Sequence, residues 1–152
     1  MPQAAANTLN TRNCGELNLL YLGRKHPLKG LEFLEEAVRQ IMSTQSSVSS
    51  VYSVVNKIDL RVVSNAFGEE KEKVWEWCDV LVLPTLSENF GLVVAEALER
   101  GKRVITTDGA PAWGDGNDYG GRLIYLEGYR DGSSDERIRL LKNAIEGLSC
   151  QS

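Results

Sequence analysis

Three short segments of this 152-residue chain hold residue types that do chemistry. In Gly23-Arg24-Lys25-His26-Pro27-Leu28-Lys29-Gly30, three fixed positive charges (Arg24, Lys25, Lys29) fall within six residues. An arginine fork matches phosphate oxygens, a lysine adds a point charge, and the flanking glycines let the backbone approach a ligand. On charge alone the same segment reads equally as a solvated basic turn. The second segment, Ser87-Glu88-Asn89-Phe90-Gly91, puts a carboxylate in a loop just ahead of a helix. Backbone N–H groups from Phe90 to Val93 have no helical acceptor there, and the helix end adds about half a positive charge, a combination that holds anions. Glu96 follows five residues after Gly91. That is about 7.5 Å along a helix axis, a reach suited to a sugar ring beside a phosphate. A carboxylate facing phosphate is repelled, so Glu88 and Glu96 read as acceptors for sugar hydroxyls. Taken singly, they read as a helix N-terminal charge and an exposed helical glutamate. The third segment is Asp108-Gly109-Ala110-Pro111.

The elements between these segments set where they lie. Leu17 to Leu22 is a short apolar run stopped by Gly23, which suits a buried strand. Leu31, Leu34, Val38 and Ile41, widened by Phe33 and Ala37, form a helical stripe. Residues 43–50 read as a serine-rich surface loop, and Val51 to Val55 as a possible extra strand. Ile58, Leu60 and Val62 alternate as a strand, and Gly68 to Trp77 is a charged helix with Val74 and Trp77 turned inward. Asp79 to Pro84 is a strand ended by its proline, and Gly91 to Arg100 a helix stopped by Gly101. Val104–Thr107 and Leu123–Leu126 complete the strands. Ser133 and Glu136 form a capping box for a last helix through Ile138, Leu141 and Ile145. Strands alternating with helices predict an α/β fold, a doubly wound, Rossmann-like parallel sheet. Residues 1–16 read as a flexible arm or boundary segment and 17–152 as one domain. Ligands of such sheets bind beyond the carboxyl ends of the strands, where all three segments fall.

Composition narrows the chemistry. Lys and Arg number 17 against 21 Asp and Glu, a net charge of −4, which argues against a nucleic-acid partner. The cysteines, Cys14, Cys78 and Cys150, are odd in number and far apart, unlike a disulfide framework or zinc site, and suit a reducing, cytoplasmic compartment. Cys78 beside Trp77 reads as a small buried hydrophobe. His26 is the single histidine, which excludes histidine-rich metal sites. No apolar run approaches the ~20 residues of a membrane span, so no membrane contact is indicated. GxxxxGK[ST] and GxGxxG phosphate motifs are absent. The stretch from Gly114 to Gly120 resembles a calcium loop, but Tyr119 replaces an acidic ligand and Leu126 stands where glutamate is needed. No metal site is expected. Trp75 and Trp113 read as partial-core or surface aromatics rather than stacking platforms.

Leu22-Gly23-Arg24 through Lys29-Gly30, followed by Ser87-Glu88-Asn89-Phe90-Gly91-Leu92 and Glu96, resembles the donor-binding half of retaining GT-B glycosyltransferases. The match is to family 4, the glycosyl transferases group 1, whose paired-glutamate motif has the seven residues that separate Glu88 from Glu96 here. The resemblance runs from about Leu17 to Gly109 and more weakly to the final helix. It implies an enzyme of hexosyltransferase type that binds a UDP- or GDP-linked sugar, needs no cofactor or metal, and transfers with retention in polysaccharide, lipopolysaccharide or glycoconjugate synthesis. By resemblance, Arg24 and Lys29 hold the donor diphosphate and stabilise its developing charge, and Glu88 contacts the donor sugar. Glu96 takes the ribose hydroxyls. Gly23 belongs to the phosphate loop, and the amides of Asn89, Phe90, Gly91 and Leu92 cradle the distal phosphate and sugar. His26 is read as loop structure rather than a catalytic group.

Two features depart from the family pattern. Gln45 to Ile58 is short and serine-rich where a strand and helix usually line the base pocket, and Arg103 replaces a common proline. The N-terminal acceptor half of the architecture is not in this sequence. A second reading is therefore a non-catalytic or split-subunit nucleotide-sugar-binding module that needs a partner chain. A third is an epimerase or phosphorylase half, though nothing marks a pyridoxal-phosphate lysine.

Overall fold

The computed structural model describes residues 16–47 and 57–148. β1 (Glu16–Leu22) is followed by α1 (Leu31–Ser47), β2 (Lys57–Val63), α2 (Gly68–Trp77) and β3 (Val80–Val82). α3 (Leu92–Glu99), β4 (Arg103–Thr107), β5 (Leu123–Leu126) and α4 (Ser134–Leu148) complete the order. The five strands form one parallel sheet in the order β2-β1-β3-β4-β5. The chain leaves β1 toward one side, pairs β2, and crosses back to place β3 on the other side. A reversal of this kind opens a crevice at the carboxyl ends of the two strands it separates. Here those strands are β1 and β3, the two that precede the basic segment and the Glu88 segment.

Strand alternation divides the core into two layers. Leu19 and Tyr21 of β1, Val80 and Val82 of β3 and Ile105 of β4 face α1 and α4, where they meet Leu34, Ala37, Ile41, Leu141 and Ile145. Leu20, Leu81 and Val104 point the other way, toward Trp75 of α2 and Val94 and Ala97 of α3. Burial on both faces explains the near-continuous apolar runs of β1 and β3, since helices cover each side of a doubly wound sheet. The predicted fold class is the one found.

Several local expectations change. α1 continues through Ser47, so the first part of the expected serine loop is helical; serine is tolerated in a helix whose apolar stripe is already anchored at Ile41. Residues 48–50 and the Val51–Val55 segment lie outside the described residues, as do Cys14 and Cys150. β1 opens at Glu16, which pairs with Lys57, one residue inside the expected boundary segment. In α2 the inward residue is Trp75, 1% exposed, while Val74 and Trp77 are only partly buried. The larger ring takes the deep position because it packs against Cys78, Leu81 and Val94 at once. Trp77 instead lies beneath the Arg61 guanidinium, 4.1 Å from its ring centre. The Ser133 and Glu136 capping box forms as expected, with reciprocal bonds of 2.8 and 3.1 Å.

Candidate functional site

Three loops interlock at the carboxyl edge of the sheet. After β1, the chain makes a single 3-10 turn over Pro27–Lys29, with His26 Nδ1 accepting from the Leu28 N–H at 3.1 Å. His26 thus serves the loop's structure. Gly30 ends the turn at φ 72°, and a Cβ there would stand 1.8 Å from the Pro84 carbonyl oxygen. Only glycine permits that approach, which carries the β1 loop onto the β3 loop. The Leu28 carbonyl then accepts from Leu86 N–H at 2.7 Å and from the Thr85 hydroxyl at 3.2 Å. A second contact of this kind joins β3 to β4. A Cβ on Gly109 would stand 2.2 Å from Thr85 O, and the Gly109 carbonyl accepts from Glu88 N–H at 2.9 Å. The backbone on either side of Lys29 and Glu88 is therefore held by cross-loop hydrogen bonds.

Between β1 and β3 these loops enclose an open cleft of about 360 Å³. Its wall includes Gly23, Arg24, Lys29, Glu88 and the run from Asn89 to Val93. The Lys29 ammonium and Glu88 carboxylate form a salt bridge, with side chains 20% and 21% exposed. Arg24 is exposed and has no carboxylate partner among the described residues. Tyr21, 1% exposed at the cleft floor, donates its hydroxyl to the Arg24 carbonyl and so fixes where the basic loop leaves the strand. Burial raises the Tyr21 pKa, Glu88 adds to the rise, and Arg24 opposes it. The phenol is therefore a donor, close to both charges.

The opposite wall is the start of α3. Gly91 is its N-cap at φ 79° and ψ 59°, a left-handed conformation that turns the chain into the helix. Val94 N–H bonds to the Gly91 carbonyl at 2.9 Å, while the amides of Leu92 and Val93 precede the first intrahelical donors. Beneath this turn lies Trp113, whose indole N–H donates to the Phe90 carbonyl at 2.6 Å. Its ring centre is 5.3 Å from that of Phe90 and 6.0 Å from that of Tyr119. Phe90 and Leu92, 47% and 70% exposed, add apolar surface to the cleft beside its charged groups.

Of the residues expected to form a site, Gly23, Arg24, Lys29, Glu88, Asn89, Phe90, Gly91 and Leu92 come together in this cleft. Glu96 does not line it. Its carboxylate faces α2 and pairs with Lys71 at 3.2 Å. Sequence reasoning missed Tyr21 and Trp113 as supports of the site. The first was hidden in a strand that needed an aromatic for its core. The second follows Pro111 in a loop whose approach to Phe90 only the folded chain reveals. Among the described residues no three His, Cys, Asp or Glu side chains converge as a metal site, and no helix is long and apolar enough to cross a membrane.

Helix-start amides and two cations line one cleft at the switch point of this parallel α/β sheet, a combination chemically suited to an anion. The chain belongs to the glycosyl transferases group 1 family, whose model matches residues 16–143. No curated protein sequence matches it. Solved structures share the fold at low identity. The C-terminal domain of a glycosyl transferase group 1 protein, LpcC from Francisella tularensis, is 18% identical with a TM-score of 0.54, over 97% of this chain and 82% of that one. TarM from S. aureus, in a complex containing UDP, is 15% identical with a TM-score of 0.52, over 92% of this chain and 31% of TarM. HepE from Anabaena, in complex with UDP, is 16% identical with a TM-score of 0.51, over 99% of this chain and 50% of HepE. This chain thus spans a third to a half of the two longer relatives.

Proposed function

We propose that this domain binds the diphosphate of a UDP- or GDP-linked sugar and serves as the donor half of a retaining, metal-independent hexosyltransferase. The observation that carries the reading is the meeting of Arg24 and Lys29 with the α3 amides across one cleft. As the acceptor hydroxyl oxygen bonds to the anomeric carbon and its proton passes to the departing phosphate, the anomeric C–O bond breaks and its electron pair leaves on the diphosphate. Cations and backbone dipoles already aimed at that oxygen lower the barrier because they need not reorganise during the step. Glu88 accepts from donor-sugar hydroxyls, and the amides of Asn89, Phe90, Gly91 and Leu92 hold the distal phosphate, with Gly23 allowing close approach. For Glu96, a ribose contact requires its carboxylate to share or leave Lys71.

The acceptor is bound by a second, N-terminal half or partner chain, and the products are polysaccharides, lipopolysaccharides or other glycoconjugates made in the cytoplasm. The donor domain starts at Glu16, where β1 opens, one residue before the boundary expected from the sequence. Calorimetric titration with UDP and GDP tests the reading. Arg24→Ala and Lys29→Ala are each expected to weaken binding by about 10- to 100-fold, the size of a lost charge-assisted phosphate contact. No binding of any nucleoside diphosphate or its sugar overturns it.

A second reading is a split-subunit or non-catalytic nucleotide-sugar-binding module that needs a partner chain. Transfer or hydrolysis of donor sugar by this chain alone excludes that alternative.

A further inference from the structure

The charged residues lining the cleft are Arg24, Lys29 and Glu88. Of the two cations, Lys29 is already occupied, because Glu88 lies against it. The loop backbones that carry the pair are tied together. Leu28 O is bonded to Leu86 N–H and the Thr85 hydroxyl, while Glu88 N–H is bonded to Gly109 O. An anion that reaches Lys29 therefore meets the Glu88 carboxylate.

The two ends of a donor reaction differ in how they meet that carboxylate. A sugar-bearing diphosphate has its terminal phosphate esterified, so it carries less negative charge and offers hydroxyl donors. A sugar-free diphosphate ends in phosphate oxygens that only accept hydrogen bonds and repel a carboxylate. We propose that Glu88 is a specificity-determining residue that makes the site disfavour the sugar-free diphosphate, by holding beside Lys29 a carboxylate that accepts from a sugar's hydroxyls and repels a free terminal phosphate. This rests on the reading of the cleft as a nucleotide-sugar site. Its consequence is that the spent nucleotide is held less tightly than the same cations would hold it without the carboxylate.

The test is calorimetric titration of the wild-type chain and Glu88→Gln with UDP, UDP-glucose and UDP-N-acetylglucosamine at one fixed ionic strength. Glutamine keeps the shape and removes the charge. It is expected to tighten UDP by about three- to tenfold, the range of a partly solvated charge contact, and to weaken the sugar conjugates, whose hydroxyls lose a charged acceptor. Unchanged or weaker UDP binding, or equal tightening of UDP and its conjugates, overturns the proposal. Thermal melts establish that the variant is folded, and Glu88→Ala supplies the same comparison if glutamine is not tolerated. Failure of the wild-type chain to bind any of the three, or GDP and its sugars, is a separate outcome. It overturns the reading of the site, and this inference with it.

Discussion

Trp113 shows how a residue outside the chemistry shapes a site. Its indole N–H is the donor to the Phe90 carbonyl, and its ring supports the turn from which the α3 amides project. Replacing Trp113 with Phe keeps an aromatic ring and removes the N–H. The expected result is a stability loss of about 1 kcal/mol, for one hydrogen bond, together with UDP binding weakened about three- to tenfold. A melting temperature that falls while UDP affinity stays constant would reduce Trp113 to a core residue. Arg24, Lys29 and Glu88 were legible in the sequence because charge clustered near glycine is rare enough to notice. Glu96 was legible as a motif position, but its engagement with Lys71 was not, since those residues meet only when α2 and α3 pack side by side.

Among the elements, the loops carry more of the site than the helices and strands do. The β1 and β3 loops touch through backbone at Gly30, where added Cβ density would strike Pro84 O. Gly30→Ala must therefore strain a left-handed residue and push the two loops apart. A loss of about 2–4 kcal/mol is expected in urea denaturation, with weakened nucleotide binding in any variant that remains folded. Wild-type stability for this variant would mean that the loops are not locked at Gly30. Strand and helix identities were readable from periodicity, and the end of α4's cap from Ser133 and Glu136. The inward residue of α2 was not, because Val74, Trp75 and Trp77 are adjacent on a short amphipathic helix and only the facing pocket chooses among them. The 3-10 turns at Pro27–Lys29 and Pro111–Trp113 escaped for a similar reason, being stabilised by contacts within loops rather than by a repeating pattern.

For the molecule as a whole, buried neutral acids predict sensitivity to alkali. Burial pushes the Cys78 thiol from its ordinary 9.0 up to about 12, and burial raises the Tyr129 phenol as well. Both groups are protonated in the fold, so their contribution is intact below the unfolded value. Above 9.0 the unfolded chain gains by ionising the thiol while the fold withholds ionisation until about 12, so stability falls through that interval. The urea midpoint should decline as pH rises above 9.0, less steeply in Cys78→Ala. Identical slopes for the two proteins would show that the thiol plays no part.

The sequence by itself determined the α/β class, the succession of strands and helices along the chain, and the three segments at strand ends, because these depend on local periodicity and on residue chemistry. It also carried the family resemblance, in Gly23 to Gly30 and Glu88 to Glu96. What only tertiary structure decided was which of those charges meet. Lys29 and Glu88 are 59 positions apart, and their salt bridge exists because Gly30 and Gly109 let three loop backbones close on one another. Glu96, eight positions from Glu88, was carried by the helix toward Lys71 instead. Spacing along a chain fixes direction only within one element, and beyond it packing determines what each side chain faces.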